Sequence, residues 1–560
     1  MGLTLSSAES SYTSKNLDHL GLVAQMCREL EIAETINRSI PSGDKKVSNG
    51  DAVVAMIING LGFTSQPMYL SPSFFSDKPV DRLIHPDLSA SDLNARSLGR
   101  TLDYIFDYGP TELFSSISRK AVLILGLSPK NAHLDSSSFH LHGAYENQSP
   151  PLAGQEIISI THGYSRDHRP DLKQLILNMI VENKASLPIF MESASGNSTD
   201  KDDFRRIVVR HIENLQNATG IEYVIADSAL YVEETIQAIA SSIFFITRVP
   251  ETIKGIKSLY RCIDLDKMIS IDDNYSYMEL GGIYGGIPQR WIVVYSSQAQ
   301  KRTLQTFRKQ LKKKIEQQLQ TLTQLQSQSF ACQEDAQQAV DDFQKKNHYL
   351  RITSLEFIQQ AHYAHKGRPK LNEKPSQLTH SIQATVCSAL DTIQEEQKLL
   401  GFFILATNQL DAQALPAEEV LNEYKGQSKV ERGFKFLKSS EFLADSFYLK
   451  TTARIQALLM VMTLCLMVYS ALQYRMRQAL QQEEAFVENQ LGKPVQNPTA
   501  RWIFHIFGGI HVLYVDHQEN AVLNLQQKHI NILNLLGEAY KQIYQKHYSP
   551  PPTYRHHLWG

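Results

Sequence analysis

NEYKGQSKVERGFKFLK, residues 422–438, is the stretch around which the rest of the chain can be organised. Read as a helix, it has two faces. Tyr424, Glu431 and Lys438 are seven residues apart, so they drift only about 20° per step and form one polar row. Val430, Phe434 and Leu437 fall at i, i+4 and i+7 and make an apolar row beside it. The carboxylate therefore stands at the border between a buried face and whatever the polar row addresses. A phenol, an acid and an ammonium are groups suited to holding a metal ion against a phosphate. An ordinary amphipathic surface helix would show the same two faces.

The spacing is more specific than amphipathicity requires. Tyr, two residues, a polar residue, three residues, Glu, six residues, Lys resembles the Tyr–Arg–Glu–Lys signature of bacterial insertion-sequence transposases of the DDE class. Tyr424, Glu431 and Lys438 match that signature residue by residue, and Gln427 stands where the family has arginine. The resemblance implies an α/β fold: an RNase H-like mixed five-stranded sheet with flanking helices, interrupted by a β-rich plus helical insertion and preceded by an α-helical N-terminal domain. It makes Glu431 the third catalytic carboxylate, with two aspartates upstream at strand ends. It further implies two Mg²⁺ ions, with Mn²⁺ able to substitute, and double-stranded DNA as partner, both transposon ends and target. A homodimer in a synaptic complex is the expected assembly.

Bulk properties are consistent with this and add little. With 560 residues the chain can bury large cores, and roughly two to four domains are expected. A formal charge of −2 means that any surface for nucleic acid must be local. The five cysteines (Cys27, Cys262, Cys332, Cys387, Cys465) have no paired spacing. That argues against a disulfide framework or a zinc site and fits a reducing cytosol. No signal peptide is read at the start, so a cytoplasmic, nucleoid-associated protein of a bacterial cell is expected. The strongest apolar run, Ala457–Leu472, contains Thr463 and Ser470 and is bounded by Gln456 and Gln473. It is short for a membrane span, so a buried helix and no membrane partner are expected.

Both aspartates can be searched for. NAHLDSSSFHLHG reads as a strand over 133–142 with Asp135 early in it, an unusual residue for a strand, unless a turn or a capped serine run explains it. IEYVIADSAL holds a short, nearly continuous apolar strand, as expected for burial on both faces, that ends in Asp227. An acid at the C-terminal end of a buried strand is where open α/β sheets place their chemistry. Between these two, residues 156–165 and 172–182 read as further strands joined by a charged turn with Arg166 and Arg169. Residues GYSRDHRPDLKQ are similar to a hairpin of one branch of these transposases, so Arg166 and Arg169 either meet DNA or are solvated. GNSTD caps a helix to about 217, and SIFFITRVP (242–250) closes this half as a strand.

The domains expected are therefore residues 1–125, helical and a candidate for transposon-end binding; 126–250, the first part of the catalytic core; 251–397, an insertion; 398–480, the second part, with the Glu431 helix; and 481–560, a helical region with a disordered tail. In the first, Asp92, Arg96 and Arg100 recur every four residues, as either a DNA-facing or a salt-bridged row. In the insertion, the helix from Lys301 opens with seven cations before any acid, either solvated or on phosphate. AHKGRPK (364–370) is similar to an AT-hook core and makes Arg368 a minor-groove candidate. By resemblance Tyr424, Gln427 and Lys438 bind end DNA, and Asp135, Asp227 and Glu431 are both catalytic and metal-binding. The function implied is cutting at terminal inverted repeats and joining of 3′ ends to target DNA. An RNase H-like nuclease, or a decayed transposase that only binds DNA, is the alternative.

Overall fold

Short, fully apolar runs and longer alternating ones make different strands, and the chain uses both in one sheet. The computed structural model describes residues 11–64, 70–143, 145, 157–165, 169–364, 374–439, 449–516 and 518–545. β1 (Tyr12–Asn16) lies apart. β2 (Asn131–Leu141), β3 (Lys173–Glu182) and β4 (Pro188–Ser195) form an antiparallel meander, and β5 (Tyr223–Ala226) and β6 (Phe244–Arg248) continue it in parallel from β2. β7 (Ile269–Asp272), β8 (Tyr275–Tyr284) and β9 (Ile287–Ser296) form a second meander. β10 (Ser329–Phe330), β11 (Leu350–His362) and β12 (Gln377–Ser388) make a small sheet of their own, and β13 (Phe402–Thr407) rejoins the large one. The large sheet has nine strands in the order β4-β3-β2-β5-β6-β13-β9-β8-β7.

The sheet has nine strands where five are expected. β13 pairs antiparallel with β6 on one side and with β9 on the other. Its run FFILAT is buried at five of six positions, and a buried strand must satisfy its backbone N–H and C=O groups along both edges. Hence the β-rich start of the expected insertion is built into the sheet. A lobe apart is formed by the helices Ser297–Gln326 and Gln333–Lys346 with β10–β12, around Leu322, Val340, Phe343 and Ile382. The reading of 156–165 as a strand does not hold: within 157–165 only Thr161 bridges to the sheet, at Gln174. A Cβ on Gly163 would lie 1.9 Å from the Gly196 carbonyl oxygen, so this backbone crosses another too closely to run as a side-chain-bearing strand.

One helix, Thr452–Gln482, organises the rest. Nineteen of its residues, from Thr452 to Leu480, are buried. Its apolar window, long enough to cross a membrane by length and composition, is 89% buried inside the protein, as a core helix should be. The helices Leu20–Glu29, Asn49–Leu61, Ala95–Tyr108 and Pro110–Ile124 pack around it. Asp92 precedes the helix that carries Arg96 and Arg100, and it pairs with Lys46 at 2.8 Å, which replaces the expected four-residue row. The C-terminal region joins the same body. β1 pairs antiparallel with the strand His511–Val515, the Tyr544 hydroxyl donates to the Asp18 carbonyl at 2.6 Å, and buried Arg82 donates to the Ile543 carbonyl at 2.8 Å. The stretch 521–544 ends a strand, Gln518–Leu523, before its helices Gln527–Leu536 and Glu538–Gln542.

On one face of the large sheet, Ser136, Asn178 and Glu192 stand in cross-strand register. The helix Asp200–Thr219, capped by Thr199, covers this row. Ser136 donates to Asp200 at 2.6 Å, and Arg206 binds both Glu192 and buried Asp203 at 2.7 Å. Residues of odd number on β2 point to the opposite face. Asp135 is one of them.

Candidate active site

Asp135 and Asp227 are brought side by side by strand register alone. β2 and β5 run parallel with Leu134 opposite Ala226, so the next residue on each strand is an aspartate at the same sheet edge. Neighbouring strands lie about 5 Å apart. Each carboxylate is tied locally. Asp135 Oδ1 accepts from the Ser136 N–H at 2.8 Å, and Asp227 Oδ1 accepts from the Ala229 N–H at 2.9 Å. The Thr247 hydroxyl on β6 donates to the Asp227 carbonyl at 2.7 Å, fixing the point at which β5 ends.

Glu431 arrives on a helix that is not the single one expected. Two helices, Ala417–Lys425 and Ser428–Leu437, meet at a turn through Gly426 and Gln427. The cause is close packing on β2. A Cβ at Gly426 would come within 2.8 Å of Nε2 of His133, which is fully buried. Burial lowers the His133 pKa to about 4, so the imidazole is neutral there. After the turn, Val430, Phe434 and Leu437 are buried as their spacing predicts, and the helix packs on β2, β3 and the helix Thr452–Gln482. Lys429 ties it further, its ammonium donating to the Asn183 carbonyl at 2.6 Å, while the Asn183 amide donates to Glu423 at 2.5 Å.

Gln427 is corrected in its orientation. It is 9% exposed, and its amide donates to the Leu134 carbonyl at 3.1 Å, one residue before Asp135. The residue that stands in place of the family's arginine thus braces the turn against the strand of the first aspartate. Its side chain lines the same cavity as Glu431 but is anchored inward on β2.

One cavity of about 340 Å³ is lined by Asp135, Asp227 and Glu431 together with Tyr424, Lys425, Gln427 and Ser428 from the two helices and Leu421. Tyr275 from β8 and Phe403 from β13 complete it. The Tyr424 hydroxyl is pushed up to about 12, first by burial and then by the charges of Asp227, Glu431 and Asp135, against the opposing effect of Arg248. It is a protonated donor at neutral pH. Lys438 caps the far end of the glutamate helix with its ammonium 5.7 Å from the centre of the Phe139 ring. Phe139 lies four residues beyond Asp135 on the same strand face, or about 13 Å, and Lys438 does not line the cavity. Arg169 lies at the surface, gripping Asp171 through two bonds of 2.9 and 2.8 Å. Arg166 and Arg368 lie outside the described residues.

Tyr275 and Phe403 were not read from the sequence. No local signal marks them, because they reach the cavity only through the continuation of the sheet past β6. The donor set is all oxygen, which suits Mg²⁺. Among the described residues no three acids, histidines or cysteines converge tightly enough to hold an ion by themselves. The paired aspartates, with Glu431 across the cavity, would leave coordination positions for water and a substrate phosphate, as Mg²⁺ sites commonly do.

Residues 132–468 match the family described as transposase DDE domain, and residues 12–119 match a domain of unknown function, DUF4277. No curated protein matches the chain. A solved piggyBac transposase synaptic complex with hairpin DNA aligns over 89% of this chain and 82% of its own, at 8% identity and a TM-score of 0.38, a likeness too remote to bear on the fold. DDE-family transposases typically use divalent metal ions. The family match spans more than half of the chain and includes Asp135, Asp227 and Glu431: this protein belongs to the DDE transposases.

Proposed function

We propose that the protein cuts an insertion sequence at its terminal inverted repeats and joins the 3′ ends to target DNA at a two-metal centre. The observation that carries this is the side-by-side placement of Asp135 and Asp227 on parallel strands, with Glu431 lining the same cavity. The order of five contiguous strands, β4-β3-β2-β5-β6, supports reading them as an RNase H-like core, with β13 to β7 as an extension. Asp135, Asp227 and Glu431 would hold two divalent ions, Mg²⁺ or Mn²⁺. When bound, such ions would activate an oxygen nucleophile and offset the charge that develops on the phosphate.

The chain's own groups orient the substrate. The Tyr424 phenol donates a hydrogen bond to a phosphate oxygen, and Lys438 places a point charge on the backbone further along β2. Phe403 and Tyr275 wall the cavity on the side away from the glutamate helix and limit water. Synapsis of two ends calls for two copies of the chain.

In the test, the purified protein is incubated with end-bearing duplex and Mg²⁺. Asp135→Ala, Asp227→Ala and Glu431→Ala should each abolish cleavage and leave binding largely intact, because ligand loss acts on the transition state. Cleavage persisting in any of them above a few per cent would identify the wrong acid. Cutting without joining to a second duplex would favour a nuclease, and binding without cutting a decayed transposase.

A further inference from the structure

We infer that the first half of the helix Ser297–Gln326 is a track for the phosphate backbone of duplex DNA leaving the active-site cavity, an inference that rests on the reading of this chain as a DNA transposase. Residues 297–315 carry seven cations and no acid, in a chain whose formal charge is −2. All seven are exposed; Lys314 points away from the others, toward Tyr349, and the remaining six are Lys301, Arg302, Arg308, Lys309, Lys312 and Lys313. At about 100° per residue they fall within an arc of roughly 140° and span about 18 Å along the axis. Leu304, Phe307, Leu311 and Ile315, all half-buried, occupy the adjoining arc and turn the charged side outward.

Two further observations separate this stripe from an ordinary solvated face. On the neighbouring helix Gln333–Lys346, Lys345 is paired with Asp342 three residues away, and on the helix Leu390–Lys398, Lys398 is paired with Glu395. Among the described residues the six enter no ion pair. The origin of the helix also matters. Ser296, its N-cap, is the last residue of β9 and stands opposite Tyr275, which lines the cavity. Tyr295 before it pairs with Phe402, next to Phe403, which lines the cavity as well. The helix therefore leaves the sheet at the edge that holds the acids and carries its charge outward from there. Over 18 Å a duplex presents about ten phosphates, and uniform positive charge disfavours a second copy of the same helix as occupant.

The experiment uses the full chain and a transposon-end duplex with flanking DNA, titrated at several salt concentrations. Lys309→Gln/Lys312→Gln/Lys313→Gln is compared with wild type and with Lys345→Gln, and thermal melts report folding. Three lost phosphate contacts should lower the slope of log affinity against log salt by about 2.7, so the fall between 50 and 200 mM salt shrinks about 40-fold. Lys345→Gln should match wild type. An unchanged slope in the triple variant, with wild type binding DNA, overturns the inference and leaves the transposase reading standing. Wild type that binds no duplex sinks both. Preference of the stripe for anionic phosphatidylglycerol vesicles over duplex would overturn it in favour of a lipid surface.

Discussion

Gly426→Ala should disable the enzyme from a position that touches neither metal nor DNA. The new methyl would lie 2.8 Å from His133 Nε2 and 2.9 Å from the Glu423 carbonyl oxygen, well inside van der Waals contact. His133 is fully buried and cannot swing aside, so the turn must move. Overpacking of this kind costs about 1–3 kcal/mol, and the better helix propensity of alanine returns up to about 1 kcal/mol. A net loss of roughly 0–3 kcal/mol is expected, small enough to leave the protein folded. Activity should fall further, because Glu431 lies five residues past the turn and a shift of about 1 Å in a catalytic group can cost about 100-fold. The assay is a double-mutant cycle with His133→Ala, following both denaturant unfolding and Mg²⁺-dependent cleavage. Removing the imidazole makes room for the methyl, so the stability cycle should show favourable coupling of about 1–3 kcal/mol. Coupling below about 0.5 kcal/mol, or Gly426→Ala cleaving like wild type, would refute the steric origin of the turn.

Thr247→Val removes the hydroxyl bond to the Asp227 carbonyl; about 0.5–1.5 kcal/mol of stability should go, with a cleavage loss that is larger than the melt predicts, and a proportionate loss would discount the positioning role. Lys429→Met should loosen the glutamate helix from Asn183, lowering cleavage while DNA affinity holds; a loss of affinity alone would put Lys429 on DNA instead. Burial alone would raise the Glu192 pKa, but hydrogen bonds from His211 and Arg206 hold it below the ordinary 4.5. The unfolded chain then takes up the proton first, so this contribution is present above pH 4.5 and is lost as pH falls through the folded value. Melts from pH 7 to pH 3.5 should show a shallower acid loss for Glu192→Gln than for wild type, and equal slopes would disprove the linkage.

The three candidate acids, which the structure brings to one cavity, could be picked out because each leaves a local trace: Asp135 is a strand aspartate, Asp227 ends a nearly unbroken apolar run, and Glu431 sits at a signature spacing. What surrounds them was not legible, and the reasons are non-local. The break at Gly426 comes from an imidazole 293 positions away (426−133), whereas an isolated glycine in a helical pattern ordinarily costs only about 1 kcal/mol. Gln427 is placed on DNA by resemblance alone, and its amide is drawn inward to the Leu134 carbonyl on β2. Alternation identifies β8 and β9 as strands, yet it cannot say that β9 will zip onto β13. Residues 156–165 alternate well enough for a strand, but their path is set by the approach to Gly196.

The union of the two chain ends sets a timetable for the protein's birth. Ser11 donates to Asp516 across 505 residues, and ribosomes add about 5–20 residues per second. The first strand therefore waits roughly 25–100 s for its partner. For most of that interval the helices near the N-terminus lack the apolar helix Thr452–Gln482 that fills the space between them, so their apolar faces stay uncovered. Asp135 and Asp227 are likewise made long before Glu431 emerges. On the proposed reading, a nascent or prematurely terminated chain can carry both aspartates without the third acid, and cleavage becomes possible only after Glu431 has been made.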